Sequence, residues 1–141
     1  MQQIRLSELI APNFYDVHNI IQSHEYTHYI EKGGRGSTKS SFISLEIPIL
    51  LIKNPRCHAV IMRKVGNTIR NSVFSQMEWA IDMLHPNDYF QVVKSPPQIT
   101  YKRTGQKILF FGVNDKSKLK SLKLPFGYNA LCWWEELDQF A

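Results

Sequence analysis

The chain has 141 residues, a formal net charge of +5 and 43% hydrophobic residues, which describes one domain large enough to bury a real core. No apolar run approaches the roughly 20 residues of a membrane span, and the opening Met1-Gln2-Gln3-Ile4-Arg5 lacks the apolar core of a signal peptide, so cytoplasmic residence is the expectation. The positive balance favours a polyanionic partner without establishing one.

Residues 1 to about 26 carry Phe14, Tyr15, Val17, Ile20 and Ile21, the pattern of a short helix or ordered arm. Phe14 and Tyr15 suit either core packing or stacking on a base. His24 and His28 have the spacing of a helical metal pair, yet no third spaced ligand accompanies them. His28-Tyr29-Ile30 predicts a short strand leading into Gly33-Gly34-Arg35-Gly36-Ser37-Thr38-Lys39-Ser40. Beyond it, Phe42, Ile43, Leu45, Glu46, Ile49 and Leu50 fit a helix packed on a sheet, with Pro48 expected to kink or shorten it.

Asn54-Pro55 marks a turn, and residues 58–63 predict a short buried strand. Gly66-Asn67-Thr68 is a break with an N-cap residue, and Ile69, Val73, Met77, Ala80, Ile81 and Leu84 follow at helical spacing. His85-Pro86-Asn87-Asp88 ends that helix. Residues 90–93, 99–102 and 107–111 predict three short strands, divided by Pro96-Pro97 and by a turn at Thr104-Gly105. A polar, lysine-rich stretch at 115–122 and a turn at Pro125-Phe126-Gly127 lead to the apolar run 128–134, which ends on Glu135-Glu136. Strands alternating with helices indicate an α/β fold, a largely parallel sheet with flanking helices and an inserted β-hairpin. Cys57 and Cys132, both in apolar surroundings, read as buried reduced thiols. Basic residues gather at Arg56, Arg63, Lys64 and Arg70 and again at Lys116, Lys118, Lys120 and Lys123; a solvated face is the alternative to a binding role for each group.

Two segments carry chemistry. Residues 33–40 follow the layout G-x-x-x-x-G-K-[ST], with Thr38 where a glycine normally precedes the lysine. Backbone N–H groups of such a loop converge on phosphate oxygens, and the following helix adds positive charge at its N-terminus. Lys39 would reach the β- and γ-phosphates of ATP, and the Ser40 hydroxyl would sit on Mg²⁺. A flexible Gly/Ser loop with an incidental lysine is the alternative. The second segment is the apolar run closed by two acids. Glu135 would orient the Mg²⁺ ion and Glu136 would position or deprotonate the attacking water. Such a strand is expected at the centre of a sheet covered on both faces. A helix start with surface acids is the alternative here, and the order of the two motifs, about a hundred residues apart, argues against it.

With both motifs in place, the chain resembles the N-terminal ATPase domain of phage terminase large subunits, in the branch found in phages and prophages of Gram-positive bacteria. The resembling blocks are residues 32–42, 63–73, 111–115, 118–121 and Trp133-Trp134-Glu135-Glu136-Leu137-Asp138. Thr38 and the Glu-Glu pair, odd by the general pattern, are familiar in this branch. The resemblance implies a P-loop NTPase of the ASCE type that hydrolyses ATP with Mg²⁺ to drive double-stranded DNA into a capsid inside a bacterial host cell. It implies a phosphate loop of Gly33, Gly34, Arg35, Gly36, Ser37, Thr38, Lys39 and Ser40, with Arg35 on the γ-phosphate, Lys39 and Glu136 as its catalytic partners, and Ser40 and Glu135 on the metal. Terminase small subunit, capsid portal and further copies of the full-length subunit are the implied partners. Arg63 and Arg70 are weaker candidates for phosphate or subunit contacts.

Terminase large subunits continue past the acidic strand with a coupling motif, further ATPase strands and a nuclease. A chain ending at Ala141 is therefore expected to be a partial ATPase domain, incomplete at its C-terminus and without the nuclease. Its arm would span about 1–26, and 27–141 would run from the phosphate loop through the acidic strand. A non-catalytic prophage remnant that binds nucleotide or terminase partners without hydrolysis is the competing expectation. A helicase-like ATPase is a third, and the blocks at 63–73 and 112–121 count against it.

Overall fold

The computed structural model describes residues 5–32, 38–63, 72–84, 89–112 and 116–135. The N-terminal arm holds a short helix α1 (Leu6–Leu9), a 3₁₀ turn (Pro12–Phe14) and α2 (Tyr15–Gln22). Then come α3 (Lys39–Lys53), β1 (Cys57–Arg63), α4 (Val73–Met83), β2 (Phe90–Lys94), β3 (Pro97–Tyr101), β4 (Gln106–Gly112), α5 (Lys116–Lys120) and β5 (Tyr128–Trp134). The strands form one five-stranded sheet in the order β2-β3-β4-β1-β5. Strand β1 is parallel to both neighbours, β4 and β5, while β2, β3 and β4 make an antiparallel meander beside it. The fold is α/β, as its alternating elements indicate, with the expected hairpin inserted ahead of β4.

Burial explains the strand types. In β1, Cys57, His58, Ala59, Val60, Ile61 and Met62 are all buried, as a central strand with two parallel neighbours requires. Along β4 the buried residues alternate, with Gln106, Ile108, Phe110 and Gly112 inside. The main core sits between the sheet and helices α3 and α4, where Ile47, Leu51, Phe74 and Met77 meet Ala59, Ile61, Ile108 and Phe110. A second cluster fastens the arm to the outer side of α3 through Ile10, Phe14, Phe42, Leu45 and Ala80. Helix α3 is therefore packed nearly all round, which accounts for its apolar sequence.

One corner fixes the register of these layers. The Gln106 side chain is fully buried at the start of β4, and its Nε2 lies 2.9 Å from the Leu51 carbonyl, 2.8 Å from that of Asn54 and 2.7 Å from that of Cys57. The Thr104 hydroxyl donates to its Oε1 at 2.7 Å. One amide thus serves the carbonyl end of α3, the turn and the first residue of β1. Buried His58 makes a parallel tie. Its Nδ1 accepts the Lys107 N–H at 2.9 Å, so Nε2 carries the proton and donates to the Phe126 carbonyl at 2.7 Å. Gly127, at φ +61°, brings β5 alongside; a Cβ there would lie 1.9 Å from the Arg56 carbonyl oxygen.

Several sequence expectations change. Residues 28–32 are not in a strand, and Ile30 is 68% exposed, because the sheet provides that segment with no hydrogen-bonding neighbour among the described residues. Helix α3 runs through Pro48 to Lys53 instead of ending there; the ring is buried and its missing N–H is absorbed inside one helix. Strand β5 is at the edge of the described sheet, not its centre, so Tyr128 and Trp134 are exposed while Trp133 faces the core. The same edge position leaves Cys132 exposed, against the expectation of burial, whereas Cys57 is buried. Phe14 packs face to face on Phe42 with ring centroids 4.6 Å apart, so it belongs to the core and not to a base-stacking platform. His24 terminates α2 with φ 58° and His28 lies beyond that helix, so the two do not share a helical face. The expected cap Thr68 and helical residue Ile69, with the stop at 85–88, lie outside the described residues.

Glu46 is buried on α3, bonded to His18, and accepts from the Gln22 amide at 2.7 Å, joining arm to helix. Burial pushes its carboxyl above the ordinary value of 4.5, against the pull of His18, Gln22 and Lys53. A raised folded-state pKa contributes stability below the unfolded value, and that contribution is lost as pH rises through the folded one. Urea unfolding at pH 7 and below pH 5 should show the wild type gaining on Glu46→Gln as pH falls; a pH-independent difference would contradict this. Gln106→Met should cost about 2–4 kcal/mol, since it strips buried carbonyls of their donor while keeping the volume, and chemical denaturation measures it directly.

Candidate nucleotide site

Chain geometry places Thr38, Lys39 and Ser40 at the end of the sheet that carries Glu135. Helix α3 has 15 residues and spans about 22 Å, close to the length of the seven-residue β1. The pinned corner at 54–57 reverses the chain, so the N-terminus of α3 returns to the carboxyl end of β1. That end of parallel strands is where open α/β sheets take ligands. Strand β5 runs parallel to β1 and delivers Glu135 to the same end. The Glu135 N–H donates to the Met62 carbonyl at 3.0 Å, extending the ladder one step past β5.

Thr38, Lys39 and Ser40 form the entrance to α3, and the Thr38 carbonyl accepts the Phe42 N–H at 3.0 Å. Thr38 has φ 64° and ψ 10°, the left-handed region. This explains the glycine of the general pattern: the position demands positive φ, and here a β-branched residue supplies it at a conformational cost. Lys39 and Ser40 begin a buried 15-residue helix, where the first N–H groups and the helix dipole favour an anion. Gly33, Gly34, Arg35, Gly36 and Ser37 lie outside the described residues, as do Glu136, Lys64 and Arg70. Among the described residues no cluster of three histidine, cysteine or acidic groups is arranged to hold a metal.

Polar contacts run from the first turns of α3 to Glu135. The Gln76 amide on α4 reaches Ser44 Oγ at 3.3 Å and Ser41 Oγ at 3.5 Å, in the first turns of α3. Gln76 N–H donates to the carbonyl of Ser72, the residue before α4. The Ser72 hydroxyl accepts from Arg63 Nη1, and Arg63 Nε lies 3.8 Å from Glu135 Oε2. Sequence reasoning singled out Lys39, Ser40 and Glu135 and left Ser41, Ser72 and Gln76 aside. Their signal was weak: a glutamine on the α4 face that turns toward α3, and a serine ahead of Val73. Of the lysine-rich stretch, Lys118, Lys120 and Lys123 are exposed.

A phosphate-type helix entrance and an acid at the carboxyl end of a parallel strand define the class, a mixed α/β domain resembling P-loop NTPases. The family model described as phage terminase large subunit matches residues 25–141. The chain is similar to the terminase large subunit of Bacillus phage SPP1, 41% identical over 140 residues, 99% of this chain and 33% of the relative. It is also similar to the PBSX phage terminase large subunit of Bacillus subtilis strain 168, 32% identical over 131 residues, 92% of this chain and 28% of the relative. The chain belongs to the phage terminase large subunit family, and it spans about a third of the length of these curated relatives.

Because Thr38 holds a left-handed conformation, Thr38→Gly should stabilise the domain by about 1 kcal/mol. A lower midpoint in urea would show that the threonine side chain contributes more than its backbone costs.

Proposed function

We propose that the chain is the ATP-binding and hydrolysing portion of a phage DNA-packaging motor. The observation carrying this reading is the position of Lys39 and Ser40, at the entrance of α3, at the same end of the sheet as Glu135 on the carboxyl end of the parallel strand pair. On this reading, residues 1 to about 26 are a docked arm and 27–141 carry the machinery from phosphate loop to acidic strand.

The residues present fit a Mg²⁺-nucleotide: a helix N-terminus for phosphate, a lysine, a hydroxyl and a carboxylate. ATP with its metal supplies a γ-phosphoryl group that water can accept. Gly33, Gly34, Gly36, Ser37 and Thr38 would cradle the phosphates through backbone N–H groups. Lys39 would neutralise phosphate charge, and Arg35 would add a planar guanidinium where charge develops on the γ-phosphoryl oxygens. Ser40 and Glu135 would hold the metal, and Glu136 would take the proton of the attacking water. By family resemblance, double-stranded DNA, a small subunit, a portal and further large-subunit copies would surround such a domain in the host cytoplasm. Lys118, Lys120 and Lys123 form an exposed basic stretch suited to DNA phosphates.

Thermal unfolding with and without Mg·ATP tests the reading. Ligand at a hundred times its dissociation constant should add about 2.7 kcal/mol of stability. The shift should vanish in Lys39→Ala and persist in Glu136→Gln, which should lose hydrolysis. A shift that survives Lys39→Ala would remove the phosphate loop from the account.

A further inference from the structure

Arg63 is the last residue of β1, and Glu135 follows the last residue of β5. The strands are paired with Met62 opposite Trp134, so the next residues on each are Arg63 and Glu135. The backbone around both is fixed by the 3.0 Å bond from Glu135 N–H to the Met62 carbonyl. The guanidinium is held on its far side by the Ser72 hydroxyl at the head of α4. On its near side Nε faces Glu135 Oε2 at 3.8 Å, and both side chains are well shielded, 17% and 14% exposed.

We propose that Arg63 is a positioning residue that holds the Glu135 carboxylate in the metal-free domain and surrenders it when Mg²⁺ enters with the nucleotide. This rests on the nucleotide-site reading above. Between these two groups a separation of 3.8 Å is within Coulomb reach but beyond a hydrogen bond, so Arg63 attracts the carboxylate without bonding to it through Nε. A divalent ion takes a carboxylate oxygen at about 2.0–2.1 Å, with twice the charge, and wins that competition. Arginine keeps its proton at any working pH, so Arg63 cannot step aside by neutralising. Its attraction for Glu135 is therefore a fixed opposing contribution to metal capture. The sequence alone suggested Arg63 for phosphate or subunit contacts; its position beside Glu135 gives it a different role.

Titration calorimetry with ATP, once in excess Mg²⁺ and once in EDTA, separates the possibilities. Arg63→Gln should tighten ATP binding about two- to fivefold in Mg²⁺, the range a partly shielded ion pair supplies, and leave the EDTA affinity unchanged. Equal weakening in both solutions would make Arg63 a phosphate ligand and overturn the proposal, as would no change in either. Weaker binding in Mg²⁺ alone would show that Arg63 supports the metal and would also overturn it. Should Arg63→Gln fail to fold, Arg63→Lys decides. It keeps the charge but cannot span Ser72 and Glu135 with one planar fork, so a smaller tightening confined to Mg²⁺ is expected and its absence overturns the proposal. A wild type that binds ATP in neither solution would instead sink the nucleotide-site reading and the Arg63 proposal with it.

Discussion

A single buried amide governs where the functional groups fall. Gln106 draws the end of α3, the following turn and the start of β1 onto one side chain, and everything downstream inherits that corner. Helix and strand have matching lengths, so fixing one end fixes the other, some 20 Å away. The residues at the far end are Lys39 and Ser40 on one element and Arg63 on the next. His58 then transmits the position of β1 to β4 and to the turn before β5, and through β5 to Glu135. Precision at the site is thus inherited from polar contacts at the opposite end of the sheet. An apolar residue at 106 would pack but could not order three carbonyls.

The arm adds a second restraint. It covers the side of α3 that faces away from the sheet, with Phe14 stacked on Phe42 and Glu46 held by His18 and Gln22. The carboxylate would be costly in this location without partners, and both partners come from one helix of the arm. Helix α3 is gripped on both sides, and its entrance is where phosphate would bind.

Much of this was legible because the relevant signals are local. Apolar periodicity located α4, turn residues separated β2, β3 and β4 to within a few positions, and the alternation of strands and helices implied the fold class. The family resemblance rested on residues 32–42, 63–73, 111–115, 118–121 and 133–138, and the family match over 25–141 agrees with it. What the sequence concealed is what depends on neighbours. The apolar run 128–134 has the composition of a central strand, yet apolarity cannot tell a strand covered on both faces from one at an edge. Pro48 is a breaker by rule, and the packing around α3 outweighs the rule. Thr38, odd by the general pattern and familiar in the resembling branch, has a left-handed φ that shows what the position demands. The link from Ser41 through Gln76 and Ser72 to Arg63 joins residues from three elements and has no spacing signature.

The two outer strands of the sheet end very differently. Strand β2 is five residues long and finishes on Lys94, with Pro96 close behind, features that discourage another chain from pairing there. Strand β5 is seven residues, Tyr-Asn-Ala-Leu-Cys-Trp-Trp, with no charge and no proline, and it hydrogen-bonds to one neighbour among the described residues. Its first residues, Tyr128, Asn129 and Ala130, are exposed. An uncharged strand margin is the kind that a further strand can join, whereas a short one closed by lysine and proline is not. A strand that joined the sheet beside β5 would also brace the end of it that carries Glu135.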